Sequence, residues 1–200
     1  MNILKHSENA VILEETSKLF FAKSINAITI KDIATHLGIG EATIYRRFSN
    51  KFNLVLAVGQ HLQDVVIHKY LNIDVNLTGY EQIEKFFNCY LDIFVNEPEY
   101  YKFINEFDNY IVENEGADLK EYEKGIDAFR VAFMHAYAKG LEDKTIKKID
   151  DIESFYYATT IGVMSLCKKL ASKDVLNQDA KLNKANQIKV LIDTILYRIK

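Results

Sequence analysis

Ile83, Phe86, Phe87, Tyr90, Leu91 and Phe94 recur at i, i+3, i+4, i+7, i+8 and i+11, the spacing of one face of an α-helix. The same period returns in Ile188, Leu191, Ile192, Ile195, Leu196 and Ile199. Little interrupts it, since the 200 residues include one proline, Pro98, and eight glycines. A sandwich or barrel needs a turn every ~8–12 residues. The scarcity of turn formers therefore favours long helices joined by short loops, and the expected fold is all-α, with about nine helices and no strand. Apolar residues make up 48% and charged residues 26%, which excludes a disordered chain. A chain of this length buries a sizeable core without disulfides.

Capping signals divide the pattern. The first helix is expected from about Glu8 to Lys23, with Ile12, Thr16, Leu19 and Phe20 on one face. Thr29-Ile30-Lys31-Asp32 has the form of a capping box and opens a short second helix. Gly38 stands where a left-handed residue ends helices. Gly40, a weak N-cap, precedes a third helix from Glu41 to about Phe48. Ser49-Asn50 breaks that helix and caps a fourth, from Lys51 to about Tyr70. Further helices are expected over 80–97, from Pro98 to Asn114-Glu115-Gly116, and over 119–141, 152–172 and 182–200.

Residues 29–48 are the segment that carries chemistry. Two short helices joined by a glycine-containing turn form a helix-turn-helix, which lays its second helix in the DNA major groove. Gly40-Glu41-Ala42-Thr43 is small and polar, so that turn can approach base edges. Tyr45, Arg46 and Arg47 have the length to reach bases or phosphates, and Ile44 and Phe48 hold the helix to its scaffold. Thr29 and Lys31 start the preceding helix, whose free N–H groups suit a phosphate. Charge agrees with this placement. Residues 1–51 hold seven Lys/Arg and five Asp/Glu, net +2, and the rest hold 18 and 23, net −5. A basic head on an acidic body fits a DNA contact confined to the head.

Residues 17–58 resemble the DNA-binding domain of the TetR family of bacterial repressors. The resemblance rests on Leu19-Phe20, Thr29, Asp32-Ile33-Ala34, Gly38-Ile39, Ala42-Thr43-Ile44-Tyr45, Phe48, Asn50-Lys51 and Leu54. It implies a helix-turn-helix DNA-binding domain over 1–52 and a helical ligand-binding and dimerisation domain over 53–200. It further implies a homodimeric repressor on double-stranded DNA, in which a small-molecule effector swings the connector helix and separates the recognition helices. Thr43, Tyr45 and Arg47 match the family's base or phosphate contacts, and Thr29 and Lys51 match phosphate contacts. The chain departs from the family at Ser24 (usually glycine), Gly40 (often serine or threonine), Ile30 (often threonine) and Phe52 (often acidic).

The body is rich in rings, with seven Phe and seven Tyr between positions 80 and 137. Most are expected in the core. A ring-lined, mostly apolar effector cavity is expected near Phe87, Tyr90, Phe94, Phe107, Tyr110, Phe129, Phe133 and Tyr137. The last two helices carry apolar residues on more than one face, and the extra face is expected to meet a two-fold mate.

Other chemistries find little support. GxxxxGK[ST], HExxH and GxSxG are all lacking, and Gly38-Ile39-Gly40 follows a helix and lacks the third glycine of a dinucleotide loop. No enzyme activity, cofactor or metal is therefore expected. His61, Asp64 and His68 share a helix face, but the two imidazoles are about 10 Å apart along the axis. His135 is expected in the core or pocket. Cys89 and Cys167 lie outside any CxxC and read as buried, inert, reduced thiols. No signal peptide or membrane-spanning run is expected, which suits a cytoplasmic protein. Two other readings stay open: an all-α carrier or enzyme with a vestigial head, and a constitutive DNA-binding regulator without an effector.

Overall fold

A computed structural model describes residues 2–114, 119–172 and 183–200, with the side chains of 2–7 and 121 left out. Among these residues the chain forms nine α-helices and no strand. In order they are α1 (Asn2–Ala22), α2 (Ile30–Leu37), α3 (Glu41–Phe48), α4 (Lys51–Tyr70), α5 (Gly79–Asn96), α6 (Pro98–Glu113), α7 (Lys120–Glu142), α8 (Ile152–Ala171) and α9 (Lys184–Ile199). A 3-10 turn over Ile25–Ala27 follows α1. The expected ends at Glu115-Gly116 and at Leu182 lie outside the described residues.

Two compact units divide the chain differently from the expected split at 52. The first comprises 1–65 with 102–125, and the second comprises 66–101 with 126–200. The division falls inside α4, α6 and α7, so sequence order does not follow compactness.

In the first unit, local signals place the helix-turn-helix. The Thr29 hydroxyl accepts from the Asp32 N–H at 3.1 Å, and the Asp32 carboxylate accepts from the Thr29 N–H at 2.8 Å. Gly38 ends α2 with φ 66°, ψ 28°. Its N–H donates to the Thr35 carbonyl, and the Ile39 N–H donates to the Ala34 carbonyl at 3.0 Å, which is the Schellman closure. Gly40 precedes α3 with no side-chain cap. Ile33, Ile44, Leu54 and Val58 are fully buried and fix α2, α3 and α4 to one core.

The later part of α6 completes that core. Phe103 stacks on Phe20 (ring centroids 6.3 Å apart) and meets Phe21 edge-on. Phe107 lies on bare backbone at Gly59, where a Cβ would stand 2.5 Å from the ring. Two departures from the family pattern find work here. Ser24 caps the 3-10 turn by accepting from the Ala27 N–H at 3.3 Å, and Phe52 stacks on Tyr110 at 6.0 Å.

In the second unit, Thr78 and Glu81 form another capping box at the start of α5. Gly79 meets the backbone of α7, where a Cβ would lie 2.0 Å from the Gly140 nitrogen. The Tyr137 hydroxyl accepts from the Ile149 N–H at 2.8 Å and pins the α7–α8 loop. Phe86, Phe87, Phe133, Val163, Ile188 and Ile192 are fully buried and join α5, α7, α8 and α9 in one core.

Candidate nucleic-acid interface

The third helix presents two faces. Ile44 is 0% and Phe48 8% exposed, whereas Glu41, Ala42, Tyr45 and Arg46 are exposed and Thr43 is half-buried. Lys31 on α2 is exposed as well. A bare helix with small residues in its first turn and Tyr45 and Arg46 beyond fits a groove about 12 Å wide. Among the described residues Arg46 has no carboxylate partner, so its charge is available to a phosphate.

Three expected contacts are committed elsewhere. The Thr29 hydroxyl donates to the Asp32 carboxylate at 2.6 Å, and its N–H bonds the same oxygen. Those two hydrogen bonds, the hydroxyl first, hold the Asp32 carboxyl below its usual range. Thr29 therefore positions α2 and does not present a free donor. Lys51 turns inward: its Nζ donates to the Ile25 carbonyl at 2.6 Å and lies 5.9 Å from the Tyr110 ring centre. Burial lowers its pKa.

Arg47 differs most from expectation. Its side chain is 19% exposed, donates to the Asn9 side-chain oxygen at 2.5 Å and pairs with Glu8. It folds back onto α1 because Asn9 and Glu8 offer acceptors that match its fork. Sequence reasoning missed both partners, which lie 38 and 39 positions away with no local signal.

The expected cavity residues separate. Phe87, Tyr90, Phe129 and Phe133 pack with Phe86 in the second unit, at ring distances of 5.2–6.4 Å. Tyr137 stacks on Phe133 at 6.5 Å, and Phe94 meets Tyr101 at 6.4 Å. Phe107 and Tyr110 belong instead to the first unit, against Gly59, Phe103, Tyr122 and Phe52. Helical spacing put all eight on inward stripes but did not say which core each stripe meets.

His135 is exposed, contrary to the expected core position, because it lies off the Phe133–Tyr137 face of α7. Ile126 is 49% exposed despite its place in the α7 stripe. Cys89 and Cys167 are buried, and burial pushes both thiols up, Cys167 to about 12. Among the described residues no group of three or more His, Cys, Asp or Glu is placed to hold a metal ion, and no helix is long and apolar enough to cross a membrane.

This geometry defines a helix-turn-helix protein with an all-helical body. Residues 12–58 match the family model described as bacterial regulatory proteins, tetR family. The match covers the helix-turn-helix and the first part of α4, and over those residues the chain is similar to that family. It is 25% identical over 139 residues to an uncharacterized HTH-type transcriptional regulator, YerO, of Bacillus subtilis (strain 168), a match covering 66% of this chain. The chain spans about half the length of that relative, 47%. The fold is shared with a TetR transcription regulator from Haloarcula marismortui ATCC 43049 (TM-score 0.73, 12% identity, 97% of this chain and 100% of that one). It is also shared with the ketosteroid transcriptional regulator KstR2 of Mycobacterium tuberculosis (TM-score 0.64, 16% identity, 96% and 95%).

Proposed function

We propose that this chain is a DNA-binding transcriptional repressor, acting as a homodimer on a palindromic operator and released by a small, mostly apolar effector. The observation that carries the reading is the exposed outer face of α3, with Ala42, Tyr45 and Arg46 in water above the buried Ile44 and Phe48. Lys31 and Arg46 supply phosphate contacts, and Glu41, Ala42, Thr43 and Tyr45 meet the groove. Repression follows family habit.

Dimerisation is supported by α8 and α9. Tyr157 and Ile161 on α8 are 50% and 57% exposed, and Val190 and Tyr197 on α9 are 57% and 85% exposed. A cavity opening among the rings of the second unit would take the effector. Their close mutual packing favours a second reading, a constitutive regulator without an effector.

Selection of random-sequence duplexes by repeated binding tests the function. The expected product is a two-fold symmetric sequence with half-sites one helical turn, or a multiple, apart. Failure to retain any duplex at low salt overturns the reading. A compound that releases the selected duplex separates the effector-responsive form from the constitutive one.

A further inference from the structure

Arg47 lies in the last turn of α3 with both terminal nitrogens occupied from within the chain. Nη1 donates to Asn9 and Nη2 pairs with Glu8, while Nε is buried without an acceptor. A guanidinium offers five donors in a planar fork, and a carboxylate and a phosphate fill that fork in the same way. The Glu8 side chain is 61% exposed, so its carboxylate remains largely in water. Exposed pairs of this kind are weak and salt-screened.

We infer that Glu8 acts as an internal stand-in for a DNA phosphate, holding Arg47 against α1 until the backbone of the duplex replaces it. The inference rests on the DNA-binding reading above. It makes Glu8 a competitor of DNA, and it divides the two arginines. Arg46 is exposed and binds first, whereas Arg47 exchanges one anion for another. The unpartnered Nε gains an acceptor only if the side chain leaves its present site, which favours the exchange once a phosphate is near.

The test is a double-mutant cycle read by fluorescence anisotropy on a labelled mixed-sequence duplex, from about 50 to about 200 mM salt. Glu8→Gln keeps the shape of the side chain and removes its charge. The expected gain in affinity is up to about fivefold at low salt, the factor corresponding to an exposed ion pair of ~1 kcal/mol. The gain shrinks as salt rises and vanishes in an Arg47→Gln background. A gain that persists in that background reports only the lost negative charge and overturns the inference. An unchanged or weakened Glu8→Gln protein also overturns it, since Glu8 would then only brace the helix. If the unmodified chain binds no duplex at low salt, the DNA-binding reading falls and this inference falls with it. Binding by the unmodified chain without the Glu8 effect removes this inference alone.

Discussion

Glu106 accepts a hydrogen bond from the backbone N–H of Ile25 at 3.1 Å, across 81 positions of sequence. The carbonyl of the same Ile25 accepts from Lys51 at 2.6 Å. Both backbone groups of a residue only 2% exposed are thus satisfied by side chains, one from α6 and one from α4. Glu106→Ala leaves the N–H without its acceptor and is expected to cost about 1–3 kcal/mol. Glu106→Gln retains an oxygen and is expected to recover most of that. Urea midpoints of the two variants check the difference.

The α2 capping box gives a pH signature. The folded Asp32 carboxyl titrates below its usual range because Thr29 bonds the charged form. Its contribution is therefore complete above the unfolded Asp value and is lost as pH falls through the folded value. Thr29→Ala is expected to cost ~1 kcal/mol at neutral pH. Its deficit against the parent chain narrows on acidification, as thermal melts at a series of pH values will read.

Of the three described residues with positive φ, Gly38, Ser49 and Lys144, the first two respond to substitution in opposite directions. Gly38 has φ 66° with nothing near a would-be Cβ, so Gly38→Ala is destabilising by about 1–2 kcal/mol through backbone strain alone. Ser49 has φ 66° without being glycine, and Ser49→Gly is expected to stabilise, by roughly 0.5–1 kcal/mol. Opposite shifts in melting temperature check both.

Among the described residues Arg46 on α3 has no carboxylate partner. Arg46→Ala is expected to weaken binding on all duplexes alike and to reduce the slope of log K against log salt by about 0.9. A loss confined to one base position would instead mark direct reading of a base.

The two thiols give a chemical check on the core. Cys89 and Cys167 are buried and hard to ionise. Alkylation at mildly alkaline pH is expected to be slow in the native chain and rapid in denaturant, measured by mass spectrometry.

The helix-turn-helix was legible because its signals are local. Thr29, Asp32 and Gly38 act within a few positions of themselves, and α2, α3 and α4 begin and end where those signals place them. The first helix starts earlier than expected, at Asn2. What stayed hidden is non-local. Nothing near Arg47 announces Glu8, and nothing near Phe107 or Tyr110 says that their part of α6 serves the first unit. Ser24 and Phe52 looked like departures from a pattern until their partners, Ala27 and Tyr110, were in place.

The contact of Phe107 with Gly59 has a mechanical meaning. A flat ring edge against a backbone with no side chain sets the closest approach of α4 and α6 at that point. Any methyl group added at position 59 would act as a wedge between the two helices.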